Sequence, residues 1–268
     1  MKLAWLTDIH LNFLDHAARK IFYATIIDCS SGAVLISGDI AEAPNVVELL
    51  NEMANAIQKP IYFVLGNHDY YRGMITDIRE KMLALTRKQN HLYWLPASGR
   101  ISLTNDTMLI GQDGWADGRY GDYQNSQVKL NDERMIGDLL QQAILGKQQL
   151  LKKMQQLADN DAKHLETDLV KAVMNNPKKI IVVTHIPPFK QACMHKGEES
   201  DDHWLPYFSS KATGDVLTKI ARENSHIEFL VLCGHTHSEA TYQLFENLMV
   251  KAGKAKYYEP LVQKFIEI

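Results

Sequence analysis

Two histidines, His235 and His237, lie one residue apart just after the apolar run 227–233. A turn at this position would ordinarily carry Ser, Asn or Asp, so the imidazoles need another explanation. In an extended chain, residues i and i+2 point to the same side. We therefore expect both imidazoles to face one point as metal ligands do, provided that other segments supply further ligands.

The same kind of chemistry follows four other apolar runs. Asp8 and His10 stand in "TDIH", Asp39 in "SGDI", Asn67 in "LGNHD" and His185 in "VTHIP". The carboxyl ends of the strands line the ligand crevice in open α/β sheets. The sequence therefore predicts that these side chains meet in space with the two later histidines.

Carboxylate, amide and imidazole groups together form a mixed oxygen and nitrogen donor set. The two carboxylate oxygens of Asp39 can bridge two cations. Such donors suit Mn²⁺, Fe²⁺, Co²⁺, Ni²⁺ or Zn²⁺ rather than Ca²⁺. No cysteine belongs to the set, so a structural cysteine-type zinc site is not predicted. Taken singly, Asp8 and Asp39 would more often be helix caps; their place in an ordered set favours metal binding.

Apolar strands alternate with amphipathic helices along the chain, which favours an α/β fold with βαβ-type connections. We interpret residues 1–268 as one domain, with a helical insertion at about 131–175 that breaks at Gly146 or within 158–162. The predicted strands are 3–6, 33–36, 61–65, 180–184 and 227–233, and the predicted helices include 17–26, 46–57, 74–88 and 211–224.

The composition limits the class of partner. The net charge is −3, which gives no support to nucleic acid or an anionic membrane as a partner. Because no apolar run of 18 residues is present and the N-terminus resembles no cleavable signal, we expect a cytoplasmic protein without a membrane span. The cysteines, Cys29, Cys193 and Cys233, are odd in number and widely spaced. Reduced thiols are expected.

The five blocks, taken in order, resemble the calcineurin-like metallophosphoesterases. The family pattern is D-x-H, G-D, G-N-H-D/E, a single histidine and G-H-x-H. Here the blocks are Asp8-Ile9-His10, Gly38-Asp39, Gly66-Asn67-His68-Asp69, His185 and Gly234-His235-Thr236-His237. The resemblance implies a four-layer α/β/β/α sandwich of two mixed β-sheets flanked by helices. It does not extend to residues 131–175.

The resemblance also implies a role for each ligand. Two metals about 3.5–4 Å apart would share a water and lower its pKa from about 15.7 towards about 7, which gives a bridging hydroxide as the nucleophile. The first metal would be held by Asp8, His10 and His237, the second by Asn67, His185 and His235, with Asp39 bridging the two.

His68 is implied to protonate the leaving oxygen or to stabilise the phosphate. Such general acid catalysis is worth about 10²–10⁴ in rate. The histidine needs a partner that fixes its tautomer and orientation. Two carboxylates are candidates for this partner: Glu42 in "GDIAE" and the adjacent Asp69.

Three departures from the family narrow the expected substrate. The G-D block lacks the "DRG" of Ser/Thr protein phosphatases, the third block is "GNHD" rather than the "GNRD" of the lipid A pathway pyrophosphatase, and no C-terminal DNA-binding domain is evident. A small-molecule phosphodiesterase or phosphomonoesterase is the expected function. The alternatives are a nuclease of the same superfamily and a non-catalytic scaffold that binds a protein partner, as in a retromer subunit. The intact ligand set favours an enzyme.

Two loops remain open to either of two interpretations. His195, His203 and Trp204 lie in an acidic loop that is either a plain surface loop or a substrate gate. Arg119 lies in a Gly-rich segment that is either a surface loop or a phosphate contact. The sequence does not predict the oligomeric state.

Overall fold

Apolar strands form two large sheets in the computed structural model, which describes residues 1–195 and 197–268. The strands are β1 (Lys2–Leu6), β2 (Ala33–Ser37), β3 (Ile61–Val64), β4 (Leu92–Trp94), β5 (Ile101–Ser102), β6 (Thr107–Gly111), β7 (Lys179–Val183), β8 (Met194–His195), β9 (Glu198–Glu199), β10 (Glu228–Cys233), β11 (Ala240–Phe245), β12 (Leu248–Ala252) and β13 (Lys264–Glu267). The first sheet has the order β13-β1-β2-β3-β4, and the second has the order β11-β12-β10-β7-β6-β5.

Most strand pairs in both sheets are parallel. In the first sheet β1, β2, β3 and β4 run in parallel, and β13 joins β1 antiparallel. In the second sheet β6, β7, β10 and β12 run in parallel, and β5 and β11 are antiparallel edge strands. Parallel pairing places the carboxyl ends of neighbouring strands at one edge, where the predicted ligands follow them.

The two sheets pack face to face through apolar side chains. Trp5 and Leu35 of the first sheet share one buried cluster with Val183 and Leu232 of the second. Strand β2 is buried along its whole length, as expected for a strand covered on both faces.

Helices cover the outer faces of both sheets. The helices are α1 (His16–Asp28), α2 (Val46–Ile57), α3 (Ile75–Lys88), α4 (Leu95–Ser98), α5 (Asp132–Met135), α6 (Gly137–Ile144), α7 (Lys147–Val173), α8 (Leu205–Phe208) and α9 (Lys211–Glu223). Helices α1 to α3 pack on the first sheet, whereas α9 and the C-terminal half of α7 pack on the second. The expected four-layer sandwich of two mixed sheets flanked by helices is therefore confirmed.

The segment at 131–175 forms three helices rather than a pair. The break before α7 lies at Gly146, which has a φ of 113° that glycine adopts readily. The polar stretch 158–162 lies inside α7, because Asp161 is buried and paired with Arg79 at 3.0 Å. Arg79 also contacts Asp113 at 3.3 Å, so this network joins α3, α7 and the loop after β6.

Cys193 and Cys233 are buried free thiols, and Cys29 is a half-buried one. Burial raises the pKa of both buried thiols. Among the helices that the structure describes, none is both long and apolar enough to cross a membrane.

Helix α7 offers a matched test of the core. Leu169 is fully buried against the second sheet, whereas the neighbouring Val170 is 44% exposed. We expect Leu169→Ala to lower the free energy of unfolding by about 2–5 kcal/mol because it leaves a cavity. Val170→Ala should change it by less than about 0.5 kcal/mol. Urea denaturation of both variants measures this, and equal losses would contradict the packing.

Candidate metal centre

The seven predicted ligands lie together at the carboxyl ends of five strands. Asp8, Asp39, His185 and His235 each lie two residues after the end of β1, β2, β7 and β10, respectively, and Asn67 lies three residues after β3. The structure thus brings one set of ligands from each sheet to a common edge.

The backbone at these ligands is not extended. The φ angles of Asp8, His10, Asp39, His235 and His237 are 49°, 40°, 53°, 72° and 55°, all in the left-handed region. The extended-chain premise for the histidine pair is therefore wrong. Asp and His are among the residues that enter this region more readily than others. Non-glycine residues held there cost about 1–3 kcal/mol each and cluster at functional sites.

Four of the ligands form a first cluster: Asp8, His10, Asp39 and His237, with ligand atoms all within 4.8 Å of one another. His237 Nε2 lies 3.3 Å from both His10 Nε2 and Asp8 Oδ1. Burial opposes the ionised form of Asp8, but the hydrogen bond with His237 lowers the pKa of the carboxyl below its ordinary value. Burial lowers the pKa of His10 to about 3, so its imidazole is neutral at pH 7.

The other three ligands form a second cluster around the amide oxygen of Asn67. Asn67 Oδ1 lies 2.9 Å from His185 Nε2 and 3.0 Å from His235 Nδ1. His185 Nδ1 donates to the carbonyl of Ser37 at 2.9 Å, and His235 Nε2 donates to the carbonyl of Tyr207 at 3.0 Å. Because a carbonyl only accepts, these bonds fix both tautomers. Such outer hydrogen bonds are typical of metal-binding histidines.

The second cluster therefore holds three lone pairs that face one another. Burial lowers the pKa of His185, and it lowers the pKa of His235 to about 3, so both rings are neutral at pH 7. With one ring proton of each histidine already donated to a carbonyl, neither ring can donate to Asn67 Oδ1. Three acceptors without a donor are a site for a cation.

Asp39 joins the two clusters. Its Oδ1 lies 3.3 Å from His185 Nε2 in the second cluster, and its Oδ2 lies 3.9 Å from His10 Nε2 in the first. Burial and the charge of Asp8 raise the pKa of Asp39 well above its ordinary value. Positive charge nearby would favour the ionised carboxylate, and the donor set fits divalent metal ions.

Two glycines let the ligand loops approach one another. A Cβ on Gly66 would collide with the carboxylate of Asp39, and a Cβ on Gly234 would collide with that of Asp8. Each glycine precedes a ligand, so it brings one ligand loop against a ligand of another strand.

His68 lies beside Asp39 but has no side-chain partner of the expected kind. Its backbone N–H donates to Asp39 Oδ1 at 2.9 Å, and its Nε2 lies 3.9 Å from Oδ2. The ring stacks on Tyr71 with centroids 4.2 Å apart. Its Nδ1 is buried, with no hydrogen-bond partner among residues 1–195 and 197–268. Burial lowers the pKa of His68 to about 2.

The structure does not bring either predicted partner to His68. Asp69 is fully buried and accepts three backbone hydrogen bonds, from Ile40, Ala41 and Gly66, at 2.8–2.9 Å. Its carboxylate therefore ties the loop after β2 to the loop after β3. Glu42 instead pairs with the exposed guanidinium of Arg72 at 3.3 Å.

Three residues near the ligands were not predicted from the sequence. Asp132 and Tyr71 both accept from the amide of Asn67, at 2.8 and 3.2 Å. Tyr257 lies with its ring 4.7 Å from that of His10 and so covers the first cluster. Asp132 begins a helix, where carboxylates are common, so its position in the sequence gave no sign of a contact with Asn67. Tyr71 lies two residues after the third block, and that proximity was the available signal.

The two loops whose role the sequence left undecided make different contacts. Arg119 pairs with Asp117 at 3.0 Å and with Asp159 at 2.8 Å, so its described partners are carboxylates of the fold. Trp204 stacks on Phe208, which in turn meets His235 edge-on at 5.4 Å. Trp204 of the acidic loop is therefore connected to His235 of the second cluster through the ring of Phe208.

Two adjoining donor clusters share the carboxylate of Asp39 at the edge of a two-sheet sandwich. This arrangement is a candidate dimetal centre, and it defines the class of the protein. Residues 1–239 match the calcineurin-like phosphoesterase family. The chain belongs to this family.

Solved structures with the same fold cover nearly all of the chain. Phosphopantetheinyl hydrolase from Mycobacterium tuberculosis superposes with a TM-score of 0.65 and 11% identity, over 96% of this chain and 90% of that one. A dimetal phosphatase from Danio rerio gives 0.60 and 12%, over 95% and 87%. TT1561 of Thermus thermophilus gives 0.54 and 12%, over 94% and 88%. No curated protein matches the sequence significantly.

The close approach at the two glycines can be tested by metal binding. Gly66→Ala or Gly234→Ala should weaken Mn²⁺ binding at least tenfold, because the added Cβ displaces Asp39 or Asp8. Gly32→Ala is the control, since its Cβ meets only the flexible side chain of Met1 among its close neighbours, at 2.9 Å. Calorimetric titration with Mn²⁺ gives the affinities. Normal binding by the first two variants would refute the crowded geometry.

Proposed function

We propose that the protein is a dinuclear-metal-dependent phosphoester hydrolase that acts on small-molecule monoesters or diesters. The observation that carries this proposal is the pair of donor clusters joined by the two oxygens of Asp39. Membership of the phosphoesterase family supports it. We further propose that the whole chain works as a single domain, because α7 packs on the second sheet through Leu165 and Leu169.

The ligand assignment follows the two clusters. We propose that Asp39 would contribute to both metal sites, because its two carboxylate oxygens face different clusters. Mn²⁺, Fe²⁺, Zn²⁺, Co²⁺ and Ni²⁺ all accept such oxygen and nitrogen donors. The first ion would be held by Asp8, His10 and His237, and the second by Asn67, His185 and His235.

When bound, the two ions would supply a hydroxide nucleophile at neutral pH and positive charge for the phosphoryl oxygens. The chain's own residues prepare the site for this charge. The carbonyls of Ser37 and Tyr207 hold the protons of His185 and His235 away from the centre, so that both rings present lone pairs. Tyr257 and Phe13, with rings 5.1 Å apart, lie over the first cluster and restrict solvent there.

His68 acts in this proposal as a neutral hydrogen-bond donor. Burial lowers the pKa of its ring, and two cations beside it would lower that pKa further. A neutral imidazole still carries one N–H, which can donate to a phosphoryl or leaving-group oxygen. Of the two roles implied by the family, stabilisation of the phosphate therefore has the better physical support.

Mn²⁺-dependent hydrolysis of a nitrophenyl phosphomonoester and a bis-nitrophenyl phosphodiester tests the proposal. Asp39→Asn should abolish both activities, because it removes a charge shared by both clusters. His68→Ala should lower kcat about 10²–10³-fold, because it removes one hydrogen-bond donor to the phosphoryl group. His226→Ala is the control, since His226 is exposed and bonds to Asn176 instead.

The result also separates the alternatives. The ratio of diester to monoester turnover would assign the substrate class, and turnover of single-stranded DNA in place of both would indicate a nuclease. Binding of two metal ions without any turnover would favour a non-catalytic scaffold and contradict the proposed activity.

A further inference from the structure

The helical segment that follows residue 131 contacts the candidate metal centre through its first helical residue. Asp132, the first residue of α5, accepts a hydrogen bond from Asn67 Nδ2 on its Oδ1 at 2.8 Å. The same oxygen accepts from the hydroxyl of Tyr71 at 2.6 Å. Asp132 lies 65 residues from Asn67 in sequence. A ligand of one strand end is thus held by a separate helix.

The side-chain amide of Asn67 can ligate a metal in only one of its two orientations. Its oxygen has lone pairs for a cation, whereas its nitrogen carries two protons and no available lone pair. Local hydrogen bonding around the second cluster favours the wrong orientation. A flipped amide would donate its protons to the lone pairs of His185 Nε2 and His235 Nδ1, which lie 2.9 and 3.0 Å from the present oxygen.

We propose that Asp132 is a positioning residue that keeps the amide oxygen of Asn67 directed at the metal centre. A carboxylate only accepts hydrogen bonds, so a flipped amide would set its oxygen against the carboxylate and lose a charge-assisted bond. Asp132 thereby prevents the amide of Asn67 from hydrogen-bonding to His185 and His235, which would leave no lone pairs for a metal ion. This inference rests on the proposed dimetal function.

The same carboxylate connects the centre to His68. The hydroxyl of Tyr71 is bound to Asp132 Oδ1, and the ring of Tyr71 stacks on His68 with centroids 4.2 Å apart. One side chain of α5 therefore orients both a metal ligand and the support of the neighbouring histidine. The helical segment contributes to the centre itself through this contact.

Calorimetric titration of the metal-free protein with Mn²⁺ tests the inference without reference to activity. Asp132→Leu keeps the approximate shape of the side chain and removes both acceptors. We expect it to weaken one of two Mn²⁺ sites about 10–100-fold, as removal of outer-sphere partners does. The other site should stay within about twofold. Glu133→Leu, at the next position of the same helix, should change neither site.

A double-mutant cycle separates positioning from a general structural effect. In an Asn67→Ala background there is no amide to orient, so adding Asp132→Leu should change the Mn²⁺ affinity by less than about twofold. A structural effect of Asp132→Leu would instead add to that of Asn67→Ala. Additive losses would overturn the inference.

The remaining outcomes are also decisive. If the wild-type protein binds two Mn²⁺ ions and Asp132→Leu binds them equally well, positioning by Asp132 is refuted and the dimetal function stands. If the wild type binds none, the proposed function fails. If thermal melts show that Asp132→Leu does not fold, the cycle is run with Asp132→Asn, which can face Asn67 with either group. A smaller but non-additive loss supports the inference, and an additive loss or none refutes it.

Discussion

The carboxylate of Asp39 is the group on which the rest of the site depends. It is buried where the loops of both sheets meet, and it faces His10 on one side and His185 on the other. Burial beside Asp8 disfavours its charge, as the direction of its pKa shows. Burying a charged carboxylate costs free energy unless hydrogen bonds or positive charge compensate it. The arrangement of the strand ends around this carboxylate therefore favours the binding of cations.

Several structural devices hold the ligand loops close to this carboxylate. Asp69 binds three backbone N–H groups and so fixes two loops against each other. The glycines at 66 and 234 remove the side chains that would keep those loops apart. Left-handed backbone at His235 and His237 turns the chain sharply, so that their rings reach different clusters. The strain at these ligands is therefore maintained by the surrounding contacts.

Local sequence patterns predicted the parts of the molecule that depend on neighbouring residues. Buried strands are continuous apolar runs, and the stripe from Val46 to Ile57 has helical spacing, so both were recognised. The candidate ligands were predicted because each follows such a run. The break at Gly146 was one of two options, and the buried pairing of Asp161 with Arg79 decided between them.

Contacts between distant segments could not be predicted in this way. The pairing of Asp132 with Asn67 depends on how α5 docks, and nothing in the flanking sequence specifies that docking. The same holds for His68, whose two candidate carboxylates are engaged elsewhere: one by backbone amides and the other by Arg72. Sequence order predicted the candidate ligands, whereas tertiary packing determines which groups support them.

The separation of the ligands along the chain has a consequence for folding kinetics. His10 and His237 lie in contact although 227 residues separate them. Closing so long a loop costs conformational entropy that local helices do not repay, and chains rich in such distant contacts fold slowly. Both sheets must be paired before these imidazoles can meet. We therefore expect the centre to form late in folding, and a cation to bind only chains in which both sheets are complete.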